Sequence, residues 1–506
     1  MPRAAPDPDA RAAPHPPSPP NAGRYLHGAA WSALNAVAGA LLPLGIFVVF
    51  ARWLPAAEIG AVALGVAASE MIKAFGLPGL YEALLQQRDD RQPDNRRRCA
   101  ETALACLLLG GAALFGLHLL LASLLVRLVP GVEQAWLVIA VTGLRIPLDL
   151  AALQPQAALA ERLAFRRLAL RSVVATAGAG AIGLGLVFAG QALAGLVAYQ
   201  VGLSALLLLL TAAGGGTLAR PRLHRDCLRR MWPEAWRASA IRLVAAVNNY
   251  LDQVVVAGLL GGLRLAYYNL AKRIETILIS AAASFSAILF QPVFARRPTG
   301  DNPAGNAQGL QRGLMVLTAT CGLATAVIVV THPRLIPLVF GPAWAEAAPI
   351  AACLAFGGFA RALGSAHGAL LSVSGRNRQL LWVSLGSAGS GLALVALLAP
   401  VGLVPCAAAL ALRSVASTGA MAWLTRRDLP GMGRAYALAV GLPFGLMLAA
   451  ASGGSLLADR LLAGMPPGPW TGLLALATAG TAAAGGVLLY FGLGLLLRRR
   501  RARPAA

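Results

Sequence analysis

The chain has 506 residues, of which 58% are hydrophobic and only 12% charged, too few polar groups to cover a water-soluble globule. Its net charge of +23 sits in short bursts of arginine between apolar stretches, with no aromatic-rich soluble region to read bases, so nucleic acid is set aside as a partner. The class that remains is an all-α polytopic membrane protein, with the lipid bilayer as its solvent.

In chain order, residues 1–24 come first, Pro/Ala-rich with a run from Pro14 to Pro20, and read as a disordered tail without a signal peptide. A spanning helix takes roughly 20 apolar residues, because every backbone polar group has to be bonded within it. By that length, spans fall at 28–50, 58–76, 99–125, 133–153, 172–190 and 191–213, the last two readable also as one long hairpin. Six more fall at 239–261, 265–290, 314–330, 345–372, 380–398 and 401–424, and a final pair at 436–457 and 470–497.

Placing the tail inside puts 31 of the 43 basic residues on one side, in the tail, the alternate connections and the basic end at 498–506. Five (Arg52, Arg127, Arg264, Arg334 and Arg460) fall on the other side and seven within spans. Because arginine and lysine collect in cytoplasmic loops, this asymmetry predicts fourteen spans with both termini in the cytoplasm. The connections on the outside are short, the longest at 331–344 and 459–469, which leaves little room for the external domain of a glycan polymerase. No Ser/His/Asp set, phosphate-binding glycine loop or His/Cys cluster appears, and the six cysteines lie far apart. The sequence therefore predicts no enzyme, no metal, no other cofactor and no disulfide. His118 and His367, alone in apolar segments, read as ordinary bundle residues.

A shift of 206 residues lays VVFARWLPAAEIGAVALGVAASEMI (48–72) over VVVAGLLGGLRLAYYNLAKRIETIL (254–278) without a gap, and a shift of 216 matches Arg145 to Arg361. Both shifts point to two parallel copies of six spans enclosing a central cavity. The organisation expected is an N-lobe at 25–220, a C-lobe at 221–430, two further helices at 431–497 and the basic cytoplasmic tail.

FARWLPAAEIGAVAL, ALAERLAFRRLAL, YLDQVVVAGLLGGLRLAYYNLAKRIE and PRLIPLVFGPAWAEAAPIAACLAFGGFARALGSAHGALLSVSGR occur in this order between Tyr25 and Arg427. Together they resemble the polysaccharide-transporter branch of the multidrug/oligosaccharidyl-lipid/polysaccharide exporter superfamily. The resemblance implies a two-lobed flippase of the bacterial inner membrane. Its substrate would be a polyprenyl-diphosphate-linked oligosaccharide for capsule, exopolysaccharide or lipopolysaccharide, and its partners a polysaccharide polymerase and a chain-length regulator.

An ionisable group at mid-membrane costs about 2.5–3.5 kcal/mol on insertion scales and normally faces the bundle interior. Arg145, Asp252, Arg361 and Arg413 fall near the middle of their spans. Arg361, Arg145 and Arg413 are the candidates to hold a diphosphate, for which arginine offers a planar, permanently charged fork. Arg361 leads because its own helix offers no acid at i±3 or i±4. Asp252 and Glu70 are candidate coupling-ion sites. The structural alternative pairs Glu70 with Lys73 and Arg145 with Asp149 along their helices, and lets Lys272 and Arg273 snorkel to the outer interface. Two rival functions stand beside the flippase: a cation-coupled multidrug exporter, whose site would be aromatic and acidic, and a membrane-embedded glycan polymerase.

Overall fold

A computed structural model describes residues 39–86, 93–162, 164–216, 218–285, 303–426, 433, 436–463 and 468–501. The tail expected at 1–24 and the last five residues lie outside them. Every regular element among the described residues is a helix. Eleven helices are long and apolar enough to cross a membrane. One of these, Arg225–Phe285, is two spans folded about Gly261, whose φ of 84° favours glycine. Gly39–Trp53 and Ala56–Lys73 complete a set of fourteen.

In chain order these are α1 (Gly39–Trp53), α2 (Ala56–Lys73), α3 (Pro93–Leu128), α4 (Trp136–Glu161), α5 (Phe165–Phe188) and α6 (Ala192–Ala213). After them run α7 (225–260), α8 (262–285), α9 (Gly309–Phe340), α10 (Ala347–Val373), α11 (Asn377–Leu398) and α12 (Leu403–Thr425). The last two are α13 (Ala437–Leu462) and α14 (Pro469–Arg501). A tight turn at Gly190 separates α5 from α6, so these are two spans.

The neighbours repeat. α4 packs on α3 and α6, and α5 on α6; six helices later α10 packs on α9 and α12, and α11 on α12. The α1–α2 turn at Pro55 and the α7–α8 turn at Gly261 are 206 residues apart, so the register seen in sequence carries one hairpin turn onto the other. Arg145 and Arg361 accordingly stand on α4 and α10. Large apolar side chains such as Leu120, Ile182, Leu397 and Leu412 remain exposed on the flanks, as lipid-facing residues do.

Three boundaries differ from those read in sequence. α9 stays helical through Pro333 and Pro337 to Phe340, so the connection placed at 331–344 shrinks to the turn beginning at Gly341 (φ 105°). Each proline removes only its own N–H, and α9 is braced along its length by α10, α13 and α14. α7 begins at Arg225, a full three turns before its apolar stretch, because Cys227, Met231 and Ala235 find a core of Ile72, Leu80, Cys99 and Leu107 to pack on. α8 starts directly at Gly261, which moves every residue along it deeper than a start at 265 implies.

At the face away from the arginine-rich loops the lobes are sealed together. Arg52 at the end of α1 donates to the carbonyl of Val339 (2.9 Å) and to that of Leu338, in the last turn of α9, where helix carbonyls lack partners. The fully buried Trp344 donates to Ala51 O at 2.9 Å and packs edge-on against Phe47 and Tyr267. Gly60 passes so close to the carbonyl of Gly262 that a Cβ has no room. His118 and His367 are both buried, and His367 joins Thr425 Oγ1 (2.9 Å) and Tyr436 Oη (2.6 Å), tying α10 to α12 and α13.

Candidate functional site

Two clusters of charge lie at mid-depth, one per lobe. In the first, Lys73 Nζ on α2 meets Glu70 Oε2 at 2.8 Å and Asp149 Oδ2 of α4 at 2.7 Å, while Arg145 Nη2 meets Glu70 Oε1 at 3.0 Å. The expected Glu70–Lys73 pair forms. Arg145 turns across to α2 rather than down its own helix to Asp149, because Lys73 already holds that carboxylate. Two cations and two anions cancel, yet Arg145 Nη1 is buried with no hydrogen-bond partner.

In the second cluster, Lys272 Nζ on α8 meets Asp252 Oδ2 of α7 at 2.5 Å, and Tyr268 donates to the same oxygen at 2.7 Å. Glu275 takes Arg361 Nη1 of α10 at 3.1 Å and has Lys272 at 3.7 Å. Arg361 is thus neutralised from a neighbouring helix, although its own helix offers no acid. Arg413 on α12 donates to the carbonyl of Ser387 (2.7 Å), and its Nε is buried without a partner. Asp252 and Arg413 line a largely apolar cavity of about 370 Å³ between α7, α11 and α12.

Lys272 and Arg273 do not snorkel. Eleven residues past the turn at Gly261, Lys272 lies about 16 Å down α8, half the thickness of a bilayer core. Both line a cavity of about 430 Å³ between α1, α2, α7 and α8, together with Pro43, Val66, Tyr250, Gln253 and Asn269. No carboxylate is among its described lining residues. Arg273 stacks its guanidinium 4.1 Å over the ring of Phe47 and donates through Nε to Asn269 Oδ1 at 3.2 Å. Asn269 donates in turn to Gln253 Oε1 at 3.0 Å. Among the described residues Arg273 has no acidic partner, so a positive charge faces the cavity uncompensated.

The two clusters meet here. Tyr250, on the cavity wall, feels the charges of Glu70, Lys73, Arg145 and Asp149, and Arg145 and Arg273 repel each other from opposite lobes. The cavity lies towards the arginine-rich ends of α1 and α8, while the opposite face is closed by Arg52, Trp344 and Gly60. Such a site suits an anionic ligand small enough at its charged end to reach between the lobes. Of the residues singled out in sequence, Arg145 lies outside the lining of this cavity, held by Glu70, and Arg361 braces Lys272 through Glu275, whereas Arg413 belongs to the neighbouring cavity. Arg273 and Lys272, expected at the outer interface, line the cavity instead, because α8 starts at Gly261. Counting from Gly261 rather than from the first apolar run places them correctly.

A sequence profile described as polysaccharide biosynthesis protein matches residues 49–349, from the end of α1 into α10. No protein of curated function matches the chain by sequence. Among solved structures, the lipid II flippase MurJ in its inward closed conformation superposes with a TM-score of 0.72 at 12% identity, covering 94% of this chain and all of its own. An inward-facing multidrug resistance MATE family transporter of the MOP superfamily gives 0.61 at 16% identity over 79% of this chain and 99% of its own. The eukaryotic MATE transporter AtDTX14 gives 0.57 at 13% identity, over 81% and 98%. At these identities the likeness is one of fold.

Proposed function

The chain belongs to the polysaccharide biosynthesis protein family, and on that footing we propose that it moves a polyprenyl-diphosphate-linked oligosaccharide from the cytoplasmic to the outer leaflet by alternating access, without changing it covalently. The setting is the bacterial inner membrane, with the arginine-rich loops and both termini in the cytoplasm and capsule, exopolysaccharide or lipopolysaccharide as the product line. The observation that carries this reading is Arg273, a guanidinium on the wall of a cavity between the lobes with no acidic partner among the described residues. A diphosphate brings two or more negative charges into a partly dehydrated space and needs fixed positive partners there.

Arg273 and Lys272 receive the diphosphate from the C-lobe, and Arg145 with its spare Nη1 from the N-lobe. The anion then relieves the repulsion between Arg145 and Arg273 and draws the lobes together. Arg361 acts through Glu275, holding the carboxylate that steadies Lys272, and Arg413 stands behind Asp252. For Asp252 or Glu70 to take up a coupling cation, Lys272 or Lys73 has to release it, so coupling here is an exchange of one positive partner for another. The face closed by Arg52 and Trp344 is the outer gate.

A cation-coupled drug exporter shares the fold. A cavity presenting Lys272 and Arg273 and no lining carboxylate repels a cationic drug, which favours the anionic lipid-linked substrate. The test is deletion and complementation in a host whose own copy is removed, scoring surface polysaccharide together with lipid-linked precursor on the cytoplasmic leaflet. Restored polysaccharide with cleared precursor is expected. Precursor that reaches the outer leaflet without this protein and stays unpolymerised there identifies a polymerase and overturns the reading.

A further inference from the structure

The N-lobe carries a second basic site, away from the cavity between the lobes. Where α5 begins and α6 ends, on the arginine-rich face, a groove of about 500 Å³ runs between the two helices. Arg167 and Arg171 stand one turn apart on its α5 wall, and Leu170, Val174 and Leu210 line it apolar. Arg167 Nη1 donates to Gly214 O at 3.1 Å, Arg162 Nη1 to Gly215 O at 3.1 Å, and Arg171 to the hydroxyl of Thr211. None of these three arginines is paired with a carboxylate among the described residues, and Arg171 Nε is buried without any partner.

Capping the carbonyls at the end of α6 accounts for one donor each from Arg162 and Arg167, and the Thr211 hydroxyl for one from Arg171. It leaves most of their five donors apiece unused, and it does not account for a groove whose apolar side is open, with Leu170 and Val174 half exposed; on the orientation proposed above, that opening faces the cytoplasmic leaflet. We infer that this groove binds an anionic phospholipid of the cytoplasmic leaflet, its phosphate between Arg167 and Arg171 and an acyl chain along Leu170, Val174 and Leu210. A phosphodiester supplies the acceptors the guanidinium forks lack, and juxtamembrane arginines draw anionic headgroups from the leaflet. The site lies on the flank of the N-lobe, so its lipid is a resident of the protein and not the cargo.

The full-length protein, purified in detergent, is exposed to phosphatidylglycerol or phosphatidylethanolamine of identical chains, and retained lipid is counted by native mass spectrometry. The wild type is expected to keep one phosphatidylglycerol with a preference of about tenfold or more over the zwitterion. Arg167→Gln with Arg171→Gln is expected to abolish the preference, while Arg220→Gln with Arg222→Gln, which removes the same charge outside the groove, keeps it. Leu210→Trp fills the apolar side with both arginines intact and is expected to expel the lipid, which guards against misfolding of the charge variant. Equal retention of the two lipids, or retention that survives both groove variants, overturns the inference. Inorganic pyrophosphate binding to wild type and Leu210→Trp alike, with no lipid retained, assigns the groove to a free phosphate and overturns it too. Export of polysaccharide is not the readout, so failure here is separate from failure of the proposed transport.

Discussion

Replacing Arg273 by alanine removes the uncompensated charge of the central cavity and leaves the ion pairs around it in place. In the unliganded protein the loss is small. Arg273 gives up its bond to Asn269 and its stacking on Phe47, worth roughly 0.5–2 kcal/mol, and repulsion from Arg145 is relieved. No carboxylate is orphaned, so abundance in the membrane should stay near normal. Bound diphosphate loses more. A charge-assisted bond contributes about 1.5–3 kcal/mol, a weakening of roughly 10- to 150-fold. Arg273→Lys restores the charge without the planar fork or the stacked contact and should recover only part of this. The assay is the affinity of the purified protein for a short-chain prenyl-diphosphate sugar, alongside export at matched abundance. An affinity for Arg273→Ala within about twofold of wild type would refute the reasoning, since it falls far below the contribution of even one charge-assisted bond.

Arg361→Ala should behave differently. It leaves the almost fully buried Glu275 with Lys272 alone at 3.7 Å, and breaking such a pair costs about 3–5 kcal/mol, nearer the lower figure here because Arg361 keeps 27% of its side chain exposed. Its Tm should fall and should recover when Glu275→Gln is added; normal stability with no export would instead return Arg361 to the ligand. Gly60→Val puts a side chain against the carbonyl of Gly262 and should wedge the outer gate, raising thiol labelling from outside of a cysteine placed at the buried Ala51; unchanged labelling would show that this contact does not hold the gate. Reporter fusions at Arg225 and Arg376 should signal cytoplasm and one at Ala345 the outside, and two signals of the wrong sign would overturn the orientation.

The spans, their number and the two-lobed repeat were legible in the sequence, because a chain crossing a bilayer has to satisfy its backbone within each segment and writes that requirement as apolar length. Pro55 and Gly261, 206 residues apart, even marked the equivalent hairpin turns. Glu70 and Lys73 paired as their spacing on one helix allows. The rest of the charge pattern was decided only by tertiary structure. Arg145 chose Glu70 on α2, and Arg361 chose Glu275 on α8, partners 75 and 86 residues away. Helical periodicity says which side chains share a face and nothing about which other helix that face meets. The depth of Arg273 was lost for a related reason: it depends on where α8 starts, and apolar composition blurs that by several residues while the left-handed turn at Gly261 fixes it. Hence Arg273, without an acidic partner among the described residues, emerged on the wall of the cavity only once α1, α2, α7 and α8 were set side by side.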